Sequence, residues 1–222
     1  MFERNIHTYT IKEQLKLHNS GVIVLGVGGG GCTISEILVR TGIGAITLVD
    51  EDVFESSNKN RQLGAVESTI GKYKVDVIGD KLLDINPTLK LRKIKKFITP
   101  ENYKEILTPD DYIVSDSVDK LKNKLRVCEY CKDLKKTYVT GGLGGYKYWS
   151  AILKDGHISD IIDPSIPEVS CYPCASSVIS QAALQAQQVI NLILDRNWGT
   201  VDKVVRVNME TFTMYVSNLR SD

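Results

Sequence analysis

Short, continuous apolar runs alternate along the chain with segments in which apolar residues recur at helical spacing. Continuous apolar runs at residues 21–27 and 45–49 have the length and composition of buried parallel strands. Between them, residues 33–40 carry apolar side chains at helical spacing, and Thr41-Gly42 provides a stop signal. These three segments predict one complete βαβ unit.

The same alternation continues to the end of the chain. Further helices are predicted at residues 9–19, 72–85, 101–107, 119–134 and 175–194. Further strands are predicted at residues 89–94, 112–114, 137–140, 204–207 and 213–216. Residues 149–153 and 157–161 are predicted to pair around the turn signal Asp155-Gly156. This order predicts an α/β fold with a Rossmann-like, doubly wound, mainly parallel sheet and an antiparallel C-terminal portion.

The composition narrows the class of protein to which the chain can belong. The chain has 222 residues, of which 42% are hydrophobic and 25% charged, an ordinary globular mixture. The formal net charge of +1 gives no reason to expect a nucleic-acid-binding surface. The sequence contains no membrane span and no apolar signal segment at its start, and its five cysteines are an odd number. We therefore expect a cytoplasmic protein with free thiols and no membrane association.

A glycine-rich loop joins the first strand to the first helix of the βαβ unit. Glycines at this place let the backbone approach a phosphate, while the helix N-terminus supplies free N–H groups. The glycines taken as ligand contacts are Gly26, Gly28, Gly29 and Gly31. Asp50 ends the second strand and is placed to bind ribose hydroxyls. This arrangement alone suits a dinucleotide such as NAD as well as ATP.

Polar residues beyond Asp50 favour ATP over NAD. A dinucleotide has one pyrophosphate, which the glycine loop already holds, and it leaves Arg61 and Lys74 without an evident use. The β- and γ-phosphates of a triphosphate extend past the loop and need such cations. Asp119, just after the fourth strand, is placed to bind Mg²⁺.

Several motifs together resemble the ThiF/MoeB/HesA superfamily, the ubiquitin-activating-enzyme-like adenylyltransferases. The matching segments, in the family's order and spacing, are GVGGGG at 26–31, TGIGAITLVDED at 41–52, SNKNRQ at 57–62, GKYK at 71–74, INP at 85–87 and DSVDK at 116–120. The resemblance implies a single ThiF-type adenylation domain over residues 1–222. Its nucleotide-binding part would span about residues 20–145, and residues 146–222 would bind the partner and complete the sheet.

The resemblance also implies roles for individual residues. Gly28 and Gly29 would contact the α-phosphate, Asp50 would bind the ribose, and Asp52 would lie beside the reacting phosphate and metal. The phosphates would be held by Asn58, Arg61 and Lys74, and Mg²⁺ by Asp119. Gln62 would also belong to the nucleotide-binding residues. Arg4 matches an N-terminal arginine of the family that reaches the partner's nucleotide in a homodimer, although an exposed terminal arginine needs no such role.

The implied reaction is attack by a carboxylate on the α-phosphorus of ATP, which gives an acyl adenylate and pyrophosphate. The leading hypothesis for the carboxylate is the C-terminal glycine of a small ubiquitin-like or sulfur-carrier protein with a Gly-Gly tail. The segments ITPENY at 98–103 and TGGLGG at 140–145 also resemble tRNA threonylcarbamoyladenosine dehydratases, so tRNA is the alternative substrate. A non-catalytic nucleotide-binding scaffold subunit is a third hypothesis, and an NAD oxidoreductase the last.

The cysteines leave further alternatives open. Many family members hold zinc with two CxxC pairs, and Cys171 and Cys174 resemble the first pair, but the sequence shows no second pair near its end. Cys174 also directly precedes the long apolar helix, where a helix N-terminus would activate a thiolate nucleophile. The alternative, which the residue type favours, is a small buried side chain at the helix start. Cys128 and Cys131 fall within a predicted helix, which favours partly buried thiols.

Overall fold

An eight-stranded sheet forms the centre of the molecule, seen in a computed structural model that describes residues 2–109, 112–165, 173–196 and 199–219. The strand order is β3-β2-β1-β4-β5-β6-β7-β8. The strands are β1 (Gly21–Leu25), β2 (Ala45–Val49), β3 (Lys90–Ile94), β4 (Ile113–Asp116), β5 (Tyr138–Gly144), β6 (Lys147–Leu153), β7 (Lys203–Asn208) and β8 (Thr213–Asn218). Neighbours from β3 to β5 pair in parallel, and those from β5 to β8 pair antiparallel. The predicted fold class is therefore confirmed.

Helices cover both faces of this sheet. They are α1 (Ile11–His18), α2 (Gly29–Thr41), α3 (Lys74–Ile85), α4 (Tyr103–Ile106), α5 (Leu121–Asp133) and α6 (Ala175–Ile193). Helices α2, α3 and α6 share one core with Val22 and Val24 of β1. Helix α5 shares a second core with Ile23 and Leu25 of the same strand. Because successive strand residues point to opposite faces, the uninterrupted apolar sequence of β1 serves both cores.

Helix α6 explains how a charge-free helix with several glutamines packs inside a globular protein. Gln181, Gln185 and Gln188 are at most 5% exposed. The Gln185 side-chain amide donates to the Ser115 hydroxyl at 3.0 Å and to the Asp116 carbonyl at 2.8 Å. The helix thus hydrogen-bonds to the end of β4 while its apolar face packs on α2. No helix in the described ranges is long and apolar enough to cross a bilayer.

The predicted hairpin between residues 149–153 and 157–161 is wrong. Strand β6 pairs instead with β5 and β7, and residues Ile158–Asp160 form a 3₁₀ turn. The Asp202 carboxylate accepts the backbone N–H groups of Lys154, Asp155 and Gly156, with N–O distances from 2.9 Å. The turn at Asp155-Gly156 is therefore held by the side chain of Asp202, which is distant in sequence. The tight hairpin lies earlier, between β5 and β6, where Gly145 has a φ of +61°.

Candidate nucleotide-binding site

A cavity of about 610 Å³ opens at the carboxyl ends of the parallel strands. Strand β1 has β2 on one side and β4 on the other, so the chain changes direction along the sheet at this point. Open α/β sheets bind ligands in the crevice at such a switch point. The cavity is lined by residues from the ends of β1, β2, β3, β4 and β5 and from the start of α6.

The glycine loop forms one wall of the cavity through backbone that side chains would obstruct. Gly26 has a φ of +81°, and a Cβ there would lie 2.8 Å from the Ser117 carbonyl oxygen. A Cβ on Gly31 would lie 1.8 Å from the Gly26 carbonyl oxygen. Helix α2 begins directly after Gly28, and Gly28, Gly29 and Gly30 face the cavity. The free N–H groups of the first helical turn therefore border a space that an anion can enter.

Asp50 is fixed beside this loop by backbone donors. Its carboxylate accepts the Val27 N–H at 2.6 Å and the Asp52 N–H at 2.8 Å. Burial raises the pKa of the Asp50 carboxyl, and these two N–H groups and the Lys74 charge oppose that effect. The structure therefore places Asp50 at the end of β2, in the cavity and next to the loop, as the sequence predicts.

Lys74 and Asp52 form an ion pair at the cavity wall. Lys74 Nζ lies 2.9 Å from Asp52 Oδ2, and the lysine side chain is 9% exposed while the aspartate side chain is 65% exposed. Lys74 is the first residue of α3, and its backbone N–H donates to the Asp52 carbonyl at 3.0 Å. A backbone hydrogen bond and a side-chain ion pair thus join two residues that are 22 positions apart in sequence.

Arg61, Gln62 and Asn58 belong to one turn but differ in their access to the cavity. Arg61 and Gln62 line it, whereas Asn58 lies beside it and binds the turn internally. The Glu55 N–H donates to Asn58 Oδ1 at 3.1 Å, and the Asn58 carbonyl accepts from the backbone N–H groups of Arg61 and Gln62. Asn58 therefore holds the turn that carries the other two. Gln62 is 7% exposed, and its Oε1 atom has no hydrogen-bond partner among the described residues.

Asp119 lines the cavity on the loop after β4, and buried residues that the sequence did not single out shape this loop. The Asp116 side chain is fully buried, and its Oδ1 atom accepts the Val118 N–H at 2.8 Å. Its Oδ2 atom accepts from Lys124 Nζ at 3.0 Å and from the hydroxyls of Tyr138 at 2.6 Å and Thr140 at 2.9 Å. Asp116 thus ties the loop to α5 and β5.

The charges around the cavity suit a polyanion accompanied by a cation. Five basic residues line it, namely Arg61, Lys74, Lys96, Lys120 and Lys124. Five acidic residues also line it, namely Asp50, Glu51, Asp52, Asp116 and Asp119. In the described part of the chain, no three His, Cys, Asp or Glu side chains come together as a ready metal site. Mg²⁺ is commonly held by one or two carboxylates plus substrate phosphates, so Asp119 fits it as a single protein ligand.

Cys174 occupies the N-cap position of α6, and it is not among the residues that line the cavity. Its sulfur lies 3.2 Å from the hydroxyl oxygens of both Ser176 and Ser177. Hydrogen bonds from these two serines lower the pKa of the Cys174 thiol to about 7. The adjacent Pro173 does line the cavity. Cys171 lies outside the described residues, so the zinc interpretation stays a prediction.

Arg4 lies far from the cavity of its own chain. It belongs to a 3₁₀ turn, Glu3–Asn5, in which the Asn5 side-chain amide donates to the Thr41 carbonyl at 3.4 Å. Thr41 is the last residue of α2, whereas the cavity faces the first turn of this 13-residue helix, about 20 Å away along its axis. Arg4 therefore does not belong to the cavity of its own chain, and its role toward a partner's nucleotide stays a prediction.

A known protein family matches the chain along almost its whole length. The ThiF family profile matches residues 2–221. The tRNA threonylcarbamoyladenosine dehydratase of Haemophilus influenzae is 40% identical over 139 residues, which are 62% of this chain and 53% of that protein. The adenylyltransferase and sulfurtransferase uba4 of Pyricularia oryzae is 32% identical over 169 residues, which are 74% of this chain and 33% of that protein. The chain spans about half the length of the dehydratases that it matches.

Solved structures share the whole fold. Escherichia coli MccB with MccA-N7isoASN superposes with a TM-score of 0.87 at 26% identity, covering 99% of this chain and 72% of MccB. E. coli MccB with ATP superposes with a TM-score of 0.80 at 27% identity, covering 94% of this chain and 67% of MccB.

Proposed function

The chain belongs to the ThiF family, and we propose that it is an ATP-dependent adenylyltransferase that activates the C-terminal glycine carboxylate of a small ubiquitin-like or sulfur-carrier protein. The observation that carries the proposal is the lining of the cavity. One cavity of about 610 Å³ is lined by the glycine loop, by Lys74 and Asp119, and by Gly142 and Leu143 of β5. The same cavity would therefore take a triphosphate and the carboxylate that reacts with it.

Different residues of the cavity would bind the α-phosphate, the ribose and the outer phosphates. The first turn of α2 would hold the α-phosphate through backbone N–H groups, and Asp50 would accept hydrogen bonds from the ribose. Arg61 and Lys74 would neutralise the β- and γ-phosphates. The Lys74–Asp52 ion pair holds the lysine at the cavity wall.

The proposed reaction needs no general base. A carboxylate oxygen forms a bond to the α-phosphorus, the bond from that phosphorus to the pyrophosphate oxygen breaks, and an acyl adenylate and pyrophosphate result. The carboxylate is ionised at neutral pH, so the barrier comes from bringing two anions together and from charge on the leaving pyrophosphate. The basic side chains of the cavity would stabilise that charge. Mg²⁺ bound at Asp119 would screen the phosphates further.

Two similarities support a polypeptide as the carboxylate donor. The uba4 relative is named an adenylyltransferase and sulfurtransferase. Escherichia coli MccB, which shares the fold at 26% identity, is solved with MccA-N7isoASN. A Gly-Gly tail would lie along Gly142 and Leu143, which line the cavity. Cys174 is proposed as the acceptor of the activated carboxylate, because its lowered pKa and its place beside Pro173 suit attack by a thiolate.

A second candidate function is dehydration of a modified tRNA nucleoside through the same adenylate. The 40% identity to a tRNA threonylcarbamoyladenosine dehydratase favours it specifically. ATP–pyrophosphate exchange separates the two functions. Exchange that requires a diglycine-tailed carrier protein supports the first function, and exchange that requires N6-threonylcarbamoyl-modified tRNA overturns it in favour of the second. No exchange with either substrate would support the non-catalytic scaffold.

A further inference from the structure

Strand β8 is an open, uncharged edge of the sheet. In the described part of the chain it pairs with β7 on one side and with no strand on the other. Its sequence, Thr213–Asn218, contains no charged residue and no proline, the usual means by which a protein blocks an exposed edge. Met214, Tyr215 and Val216 are 68%, 56% and 51% exposed. Apolar side chains on both faces of an open strand mark it as a surface for pairing.

The tip of the β7–β8 hairpin adds to this surface. Phe212 is 90% exposed and has a φ of +53°, a left-handed conformation that is costly for a bulky residue. The Met209 N–H donates to the Tyr146 carbonyl at 3.0 Å, so this tip is joined to the β5–β6 tip. Tyr146 is itself 54% exposed. Two aromatic residues therefore project from adjoining hairpin tips.

Strand register places both tips at the edge of the sheet where the cavity opens. Thr213 pairs with Asn208, Asn208 pairs with Lys147, and Lys147 pairs with Gly144. Gly144 follows Leu143, which lines the cavity. Strand β8 therefore begins at the cavity edge and runs away from it. A strand that pairs antiparallel with β8 runs toward that edge, so its C-terminus emerges on the side of the nucleotide.

We infer that β8 binds the polypeptide substrate itself as an added antiparallel strand, with its C-terminal tail directed into the cavity. This inference rests on the proposed function. Strands β6, β7 and β8 contain three cationic residues, Lys147, Lys203 and Arg206, and no carboxylate. The substrate strand is therefore apolar and acidic, since such a strand complements both the side chains and the charges of this surface.

The spacing of the strands fixes the length of the tail. Four strand spacings of about 4.8 Å separate an added strand from β5, a span of about 19 Å. An extended chain covers about 3.4 Å per residue, so about six residues connect the paired strand with the mouth of the cavity. A peptide of only the last six residues can therefore enter the cavity without touching β8.

The test compares two probes in ATP–pyrophosphate exchange. One is an acidic sulfur-carrier protein with a Gly-Gly end, and the other is a synthetic hexapeptide of its last six residues. Val216→Glu and Met214→Glu each add a carboxylate to the edge, which repels an acidic strand, and Val66→Glu is the matched control because Val66 is 49% exposed and lies elsewhere. We expect both edge variants to raise KM for the carrier at least tenfold, with kcat and the KM of the hexapeptide unchanged. The control variant keeps all wild-type values.

Other outcomes overturn the inference. Edge variants that leave the carrier KM unchanged, or raise the KM of both probes equally, exclude strand pairing while leaving the proposed function intact. A wild-type dimer that either edge variant converts to a folded monomer, judged by sedimentation and thermal melting, assigns β8 to a second copy of the chain. Absence of exchange with both probes in the wild-type protein refutes the proposed function, and this inference with it.

Discussion

Lys124 Nζ lies 3.0 Å from Asp116 Oδ2 beneath the cavity, in a buried ion pair that holds the loop carrying Asp119. The lysine side chain is 6% exposed and the aspartate side chain 0%. Neither side chain is exposed enough for water to solvate its charge if the partner is removed. The same carboxylate also accepts from two hydroxyls and one backbone N–H group, so the end of β4 depends on its charge.

Asp116→Asn should destabilise the protein strongly. It removes the charge that compensates Lys124, and breaking one side of a buried pair costs about 3–5 kcal/mol in the free energy of unfolding. Urea denaturation measures this value. The control is Asp195→Asn, which breaks the exposed pair with Lys16 and should cost less than about 1 kcal/mol. If both variants cost the same, the charge of Asp116 does not hold the loop after β4.

Lys74→Met should weaken ATP binding while the fold persists. The variant keeps the buried aliphatic part of the side chain and loses a charge-assisted bond to phosphate, worth about 1.5–3 kcal/mol or more than tenfold in Kd. Isothermal titration with ATP measures the change. Lys81→Met, which affects a half-exposed lysine of the same helix that pairs with Glu36, is the control. Equal affinities for the two variants would exclude Lys74 from the phosphate site.

Asp119→Asn should shift the Mg²⁺ requirement. Asp119 is exposed at the cavity, so its neutralisation leaves the fold intact and removes the one carboxylate proposed for the metal. We expect the Mg²⁺ concentration for half-maximal ATP–pyrophosphate exchange to rise at least tenfold. Asp84→Asn removes an exposed carboxylate from α3 and should leave it unchanged. Full exchange at the wild-type Mg²⁺ concentration would argue against the assignment.

Cys174 should titrate near neutral pH in alkylation experiments. Its thiolate is favoured by the Ser176 and Ser177 hydroxyls, so the pKa is lowered from 9.0 to about 7. The iodoacetamide rate should fall as the pH drops below about 7 and level off above it, and Ser177→Ala should move the midpoint upward. Burial raises the pKa of the Cys128 thiol to about 11, so it gives an internal reference that does not react. A Cys174 midpoint near 9 would contradict this environment.

A separate experiment tests the proposed role of Cys174 as acceptor. Cys174→Ala should retain adenylate formation, because the thiol lies outside the cavity lining, and should lose transfer of the activated carboxylate. Pyrophosphate exchange and gel detection of a thiol-labile adduct measure the two steps. Transfer at the wild-type rate would leave the cysteine with a structural role at the start of α6.

The sequence predicts this fold well wherever the signal is local. The βαβ unit, the glycine loop and Asp50 follow one another within residues 21–50, and the structure places them as predicted. The sequence does not predict the Asp116–Lys124 pair, because the buried site that holds it also requires the hydroxyls of Tyr138 and Thr140 on another strand. The hairpin was predicted wrongly for the same reason, since Asp202 binds its turn from 47 residues away. Contacts that tertiary packing creates leave no periodic pattern in the sequence.

The proposed reaction requires that a polypeptide carboxylate attacks the α-phosphorus of ATP. The most direct measurement uses a carrier protein whose C-terminal carboxylate is labelled with ¹⁸O, incubated with ATP, Mg²⁺ and the enzyme, followed by transfer of the acyl group to a thiol. Mass spectrometry of the products then locates the label. Attack at the α-phosphorus leaves one ¹⁸O atom in AMP and none in inorganic phosphate. Label in inorganic phosphate, or unlabelled AMP alongside turnover, would contradict it.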